Sequence, residues 1–407
     1  MKKNYSLILL AVFTVHFTHS QDLMSYIQEA EANNLELKAL GYKHDVALEK
    51  INEVNTLPDT ELGIGVFVSE PETRTGAQKM RFSLKQMMPW FGTITARQNY
   101  SSTMATVAFE NLVLAQRKLR MAVAQSYYKL YAIQSKKDVL ENHIQLVERY
   151  ETIVLNSVEV GQTSLVDVLK LQMKREELLR QKELLEQNFW KEQAAFNLLL
   201  NRDSGVTVAV VSDLKLPAQD RVVDTSTLDL HPELVQFDRL YASVTDSELV
   251  NKKEAAPTIG FGLDYINVEA RQGLDFIDNG KDILMPMFSI RLPIFNHKYR
   301  SKTVQNSLKQ DALLAEKSNR KNQLTTILIA ALSERQIAKI SHDTYTSNIE
   351  KAEFSLDLLI KNFEVQNKNF TDVLDLQELL LNLEVSKIEA VQSYYSQSTI
   401  INYLSNQ

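Results

Sequence analysis

Residues 155–172 read LNSVEVGQTSLVDVLKLQ, and residues 360–377 read IKNFEVQNKNFTDVLDLQ. The two stretches align without a gap at an offset of 205 residues, and seven of the aligned positions are identical. The same offset carries on to the end of the chain, where it pairs Asn197, Leu199 and Asn201 with Asn402, Leu404 and Asn406. Self-similarity at a fixed offset is typical of a duplicated structural unit. The sequence therefore predicts two structural repeats.

The earlier part of each half also corresponds to its counterpart. Residues 62–67 (LGIGVF) resemble 259–265 (IGFGLDY), and 82–92 (FSLKQMMPWFG) resemble 288–296 (FSIRLPIFN). Apolar residues occur at every second position from 62 to 68, from 80 to 84, from 259 to 265 and from 288 to 292, which is the period of a β-strand with one apolar face. We expect four strands, joined in pairs by polar hairpin loops at 70–77 and 267–281.

Long helices account for most of the remaining chain. The segment 93–160 has 68 residues without glycine or proline, so a helix over it would extend roughly 100 Å. Further helices are expected at 22–56, 164–201, 232–256, 298–361 and 369–405. The predicted fold class is mainly α with a small β part. The predicted domains are a first repeat (21–201), a connector (202–230) and a second repeat (231–407).

The first 20 residues have the layout of a secretory signal peptide. Lys2 and Lys3 precede an apolar run over 7–15, which is too short to cross a membrane as a helix. We expect this segment to be cleaved and the chain to leave the cytoplasm. The formal net charge of −6 and the lack of a basic stripe disfavour a nucleic-acid partner.

The composition and motifs argue against catalysis and bound cofactors. There are no cysteines, which excludes disulfides and thiolate zinc sites, and the histidines are not at metal-ligand spacing. A P-loop, a nucleophile elbow and an HExxH motif are all missing from the sequence. We therefore predict a protein that is not an enzyme and has no cofactor and no metal site.

Four amphipathic strands cannot close a barrel by themselves. In lipid an open sheet edge is not viable, so the strands need partners from other copies of the chain. Two copies supply eight strands, whose interior fills with side chains, and three supply twelve, enough for a conduit.

The two turn segments, VGQTSLVDVL at 160–169 and VQNKNFTDVL at 365–374, are similar to those of the TolC family of outer-membrane efflux proteins. The duplicated halves and paired hairpins extend the resemblance over nearly the whole chain. The strand exits PWFG (89–92) and PIFN (293–296) resemble the heavy-metal and RND-type branch. The resemblance implies a homotrimer with a 12-stranded barrel in the outer membrane of a Gram-negative bacterium. It also implies a helical body in the periplasm, with an adaptor and an inner-membrane transporter as partners.

Acidic residues after the second turn segment are the candidate pore constriction. Asp372 and Asp375 are spaced i, i+3 and so share a helix face. The resemblance implies that these two aspartates narrow the periplasmic entrance and that Asp167 belongs to the network that holds the entrance shut. It also implies that Lys368 ties the second turn to Asp167 or its neighbours. The helix dipole by itself also favours an acid in a first turn.

The resemblance further implies that the turns dock an adaptor protein. Candidate contact residues are Gly161, Ser164, Gln366 and Asn369. Gly161 fits a turn that needs positive φ, and Ser164 and Asn369 fit helix N-caps, so capping alone also accounts for the last two. The predicted function is a passive exit duct driven by a partner pump. The alternative is a periplasmic coiled-coil scaffold or adaptor without a pore.

Overall fold

The computed structural model describes residues 23–159, 161, 163–220, 222–366 and 370–405. The predicted signal segment, residues 1–20, lies outside them. The elements in chain order are α1 (Leu23–Asn33), α2 (Leu35–Val54), β1 (Thr60–Val66), β2 (Glu72–Thr73), β3 (Gly76–Met88), α3 (Thr93–Glu159), α4 (Leu165–Leu199), α5 (Pro232–Glu254), β4 (Thr258–Glu269), β5 (Ile283–Arg291), α6 (His297–Gln366) and α7 (Thr371–Ser405). A short 3₁₀ helix, Thr225–Leu230, precedes α5.

The helices and strands follow the predicted pattern, with three main differences. The first predicted helix is interrupted at Asn34, a residue type that favours helix caps over helix interiors, so α1 and α2 are separate. The long helix α6 continues to Gln366, beyond the predicted end at Lys361. A fifth strand of two residues, β2, lies in the loop expected between β1 and β3.

The chain divides into two compact units. The first comprises Met1–Asn34, Leu119–Asp220 and Leu332–Thr399, and the second comprises Leu35–Lys118, Arg221–Ala331 and Ile400–Gln407. In the first unit, Val147, Val154, Leu171 and Val373 belong to one buried apolar cluster formed by α3, α4, α6 and α7. Close packing of this kind stabilises long amphipathic helices, because helix propensity alone contributes little to their stability.

A segment of the first unit without helix or strand, residues 206–220, is fixed by tyrosine hydroxyls. The backbone N–H groups of Ala209, Val211 and Leu214 donate to the hydroxyls of Tyr26, Tyr127 and Tyr131 at 3.0, 3.1 and 3.4 Å. These bonds satisfy backbone donors that a strand partner would otherwise take.

The sheet belongs to the second unit and is antiparallel, with strand order β1-β3-β4-β5 and β2 paired only with β3. Its register places Ile64 opposite Phe82 and Phe82 opposite Tyr265, so apolar residues from successive strands share one face. Phe261 and Phe288 continue that face with ring centroids 5.7 Å apart. Strict alternation along each strand thus separates an apolar face from a polar one.

Two glycines on the polar face allow close side-chain approach. A Cβ at Gly260 would lie 2.6 Å from the sulfur of Met87, and one at Gly262 would lie 3.2 Å from the terminal methyl of Met287. Both methionines therefore lie over glycine backbone on β4, which explains why the GFG sequence at 260–262 occurs within a strand.

Candidate functional site: the two helical turns of the first unit

The first turn, between α3 and α4, is built as the sequence predicts. Gly161 has φ +72°, the left-handed region that favours glycine, and its N–H donates to the carbonyl of Val158 at 3.0 Å. Ser164 is the N-cap of α4, and its side chain accepts a hydrogen bond from the N–H of Val166 at 3.2 Å. The cap satisfies a donor that a helix start leaves unpaired.

Asp167, in the first turn of α4, is buried and held from both sides. One carboxylate oxygen accepts a hydrogen bond from the Thr163 hydroxyl at 3.1 Å, and the other lies 3.4 Å from the Lys170 ammonium. A buried carboxylate that accepts hydrogen bonds and pairs with a cation is a structural anchor. This anchor fixes the position of the first turn.

Lys170 also reaches the second hairpin, formed by α6 and α7. Its ammonium donates to the hydroxyl of Thr371 at 3.3 Å, and Thr371 is the first residue of α7. One turn further along, the Lys174 ammonium lies 3.1 Å from a carboxylate oxygen of Glu378. These contacts join the N-terminal parts of α4 and α7, and the sequence pattern predicted neither of them.

Asp372 and Asp375, the predicted constriction residues, are both exposed at the start of α7. Val373 between them is buried, so the two carboxylates lie on the outward side of the helix as their spacing predicts. Within the described ranges, neither aspartate forms a side-chain hydrogen bond or an ion pair. Lys368 and Asn369 lie outside the described residues, as does the side chain of Gln366, where α6 ends.

An aromatic cluster supports the second turn from below. The ring of Phe370 is buried and makes edge contacts with Phe363 and Tyr150, at centroid distances of 5.1 and 5.9 Å. Burial raises the pKa of the Tyr150 hydroxyl. Edge-to-face packing fixes ring orientation, so this cluster gives the start of α7 a rigid base.

The repeat-equivalent glutamines Gln172 and Gln377 have different surroundings. The Gln172 amide donates to Glu151 at 2.7 Å, and Arg175 donates to the other oxygen of the same carboxylate at 3.2 Å. Gln377 is 2% exposed, and neither its amide nitrogen nor its amide oxygen has a partner among the described residues. The residue 205 positions after Glu151 is Leu356, so the second repeat lacks the matching acceptor. The replacement of Glu151 by Leu356 at the 205-residue offset is visible in the sequence, but we did not use it in our predictions.

A buried polar network lies in the second unit at the start of α5. His231 is the N-cap, and its Nδ1 accepts a hydrogen bond from the Glu233 N–H at 3.3 Å. The Glu233 carboxylate accepts hydrogen bonds from the Tyr403 hydroxyl at 2.7 Å and from Arg320. Burial lowers the pKa of His231 to about 4 and raises that of Tyr403. His231 is therefore a neutral acceptor at neutral pH.

The described residues contain no group of three histidine, cysteine, aspartate or glutamate side chains arranged to hold a metal ion. No helix in the described part of the chain is both long enough and apolar enough to span a membrane.

No model of a known protein family matches the sequence, and a comparison with the curated proteins finds no match. Solved structures do match. The outer membrane protein VceC of Vibrio cholerae superposes with a TM-score of 0.74 at 13% identity, over 94% of this chain and 96% of that one. The Campylobacter jejuni CmeC outer membrane channel gives 0.72 at 14% identity, over 94% and 85%. The open state of the Neisseria gonorrhoeae MtrE outer membrane channel gives 0.72 at 15% identity, over 94% and 88%. The chain thus has the fold of these outer-membrane channels, which confirms the TolC-type fold predicted from its sequence.

Proposed function

We propose that the chain is the outer-membrane exit duct of a tripartite efflux or secretion system. In this role it conducts substrates passively from an inner-membrane transporter and a periplasmic adaptor. The observation that carries the proposal is the sheet of a chain with the fold of outer-membrane channels. The sheet has an exposed apolar face, and within the described residues each of its two edge strands, β1 and β5, is paired on one side only. Such a duct needs neither a catalytic group nor a cofactor.

The apolar face of the sheet suits contact with lipid. Leu62, Ile64 and Phe288 are 72%, 65% and 65% exposed in the single chain. A contiguous apolar surface of this kind is unfavourable in water and marks an interaction site, whereas the hydrocarbon of a bilayer accommodates it.

The edge strands argue for an assembly of three copies. In the described part of the chain β1 pairs only with β3, and β5 pairs only with β4. In a lipid environment the backbone donors and acceptors on these edges need hydrogen-bond partners from protein, and the β1 and β5 edges of further copies supply them. Counting the four longer strands of each copy, a homotrimer has 12 strands, more than the eight whose interior fills with side chains.

Aromatic side chains follow the strands where a membrane interface would begin. Phe91, after β3, is 78% exposed, and Phe295, after β5, is 88% exposed. Trp90 packs edge-on against Phe91 at 5.8 Å. Belts of aromatic residues at both interfaces are a general feature of outer-membrane barrels, so these residues support a location in the outer membrane, with the helices in the periplasm.

The helical turns supply the periplasmic entrance in this proposal. Asp372 and Asp375 constrict it, and Asp167 and Lys368 belong to the network that holds it closed. The adaptor docks through the remaining candidate residues, Gly161, Ser164, Gln366 and Asn369.

The test combines oligomeric mass with a matched pair of variants. Light scattering with the detergent contribution subtracted should give a trimer of the chain extracted from the outer-membrane fraction. Phe288→Lys places a charge on the apolar face and should reduce the recovered trimer, since a lysine facing mid-bilayer lipid costs about 2–4 kcal/mol. Ser289→Lys, on the opposite face of β5, should leave it unchanged. A monomer or dimer in the soluble periplasm would refute the duct and favour the scaffold.

A further inference from the structure

The Lys170 ammonium has two roles in the contacts described above. It lies 3.4 Å from Asp167 within α4 and donates to Thr371 on α7 at 3.3 Å. The Lys170 side chain is 40% exposed, so the ammonium lies at the surface of the first unit and not in its core. A cation in this position links the two turns and also contributes its charge to the solvent-facing surface beside them.

The two hairpins differ in charge because of this residue. In the first hairpin the Asp167 carboxylate is compensated by Lys170 three residues later. The repeat-equivalent of Lys170 in the second hairpin is Asp375, which adds a second carboxylate to that of Asp372. Between residues 165–172 and their equivalents 370–377, position 170/375 is the one at which the charge differs.

We propose that Lys170 is a specificity-determining residue of the entrance. Its bond to Thr371 holds the two turns together, and its charge limits the preference for cations that Asp372 and Asp375 create. This inference rests on the proposed duct function. Charged groups around a narrow opening select ions by sign, and removing one cation from each copy shifts that selection toward cations.

Three variants separate the two roles of Lys170. Lys170→Gln removes the charge and the hydrogen bond that the ammonium donates to Thr371. Lys170→Arg keeps the charge, although its planar guanidinium does not reproduce the geometry of an ammonium. Lys182→Gln is the matched control, because Lys182 lies on the same helix and pairs with Glu141 of α3. Among the described residues its ammonium has no hydrogen bond or ion pair with α6 or α7.

Conductance and reversal potential in planar bilayers under a potassium chloride gradient test the charge role. We expect Lys170→Gln to raise the potassium-to-chloride permeability ratio about threefold and the conductance about twofold. Lys170→Arg should keep the wild-type permeability ratio, and Lys182→Gln should behave as wild type. If the wild-type chain forms channels and Lys170→Gln leaves both quantities unchanged, the inference is wrong although the duct proposal stands.

Amide hydrogen exchange of the detergent-solubilised chain tests the tie without any channel recording. Lys170→Gln removes the Lys170–Thr371 bond and should increase amide exchange in the first two turns of α7 several-fold. Lys182→Gln should leave exchange in these turns unchanged. Unchanged exchange in Lys170→Gln would overturn the tie. If the wild-type chain forms no channels, the duct proposal and the selectivity role both fail, and a rise in exchange would support the tie alone.

Discussion

The equivalent glutamines Gln377 and Gln172 have different hydrogen-bonding environments, and this difference can be tested by measuring stability. Its amide is buried without a partner in the described structure, while the equivalent Gln172 hydrogen-bonds to Glu151. An unpartnered buried amide costs about 1–3 kcal/mol, whereas a hydrogen bond to a charged group contributes about 1.5–3 kcal/mol. Methionine has nearly the same shape as glutamine and no such requirement. The same substitution should therefore have opposite effects at the two sites.

We expect Gln377→Met to stabilise the chain by about 1–2 kcal/mol per copy and Gln172→Met to destabilise it by a similar amount. The measurement is the midpoint of guanidinium-induced unfolding in detergent, with the loss of helix monitored by circular dichroism. Because the two positions are related by the 205-residue offset and lie on equivalent helices, each variant is the control for the other. Midpoints that shift in the same direction would refute the reasoning, as they would mean that Gln377 has a partner comparable to Glu151.

Two further predictions concern acid stability and the entrance. The pKa of His231 falls from 6.5 to about 4 on folding, so the unfolded chain binds the proton more tightly and stability is lost as pH falls from 6.5 to 4, by about 3 kcal/mol per copy. His231→Asn keeps a cap but cannot titrate, so its melting temperature should fall less between pH 7 and pH 4.5 than that of the wild type, and an equal fall would contradict this. The double variant Asp372→Ala, Asp375→Ala should raise conductance in planar bilayers about twofold by shortening the side chains of the constriction. The control is Asp357→Ala, because Asp357 is an exposed acid on α6 that pairs only with Lys361 in the described structure. This variant should leave the conductance unchanged. Unchanged conductance in the double variant would show that neither Asp372 nor Asp375 constricts the entrance.

Local sequence patterns were sufficient for most of the fold. Alternation at residues 80–84 and 259–265 identified β3 and β4, because one apolar face imposes a period of two on any half-covered strand. Helix α3 was evident from the long stretch without glycine or proline, and Gly161 identified the turn that follows it. The break at Asn34 and the short strand β2 were not predicted, since each depends on a few local hydrogen bonds.

The candidate site was harder to predict because its contacts join distant parts of the chain. Lys170 and Thr371 are 201 residues apart, and no periodicity in either helix indicates that an ammonium on one reaches a hydroxyl on the other. The missing partner of Gln377 was accessible from the sequence, since Glu151 aligns with Leu356 at the same offset as the glutamines. Aligning the partners of repeated residues, as well as the residues themselves, would have identified it.

The two sheet edges have a consequence for assembly. Joining β1 of one copy to β5 of the next is a heterologous contact, in which each subunit presents two different surfaces. Such contacts form a closed ring only when the rotation between neighbours divides a full circle, which for three copies is 120°, and otherwise they continue as an open fibre. A copy with a blocked β5 edge still offers β1, so it joins a growing chain and then prevents closure. Variants that damage one edge should therefore act dominantly over wild-type copies made in the same cell.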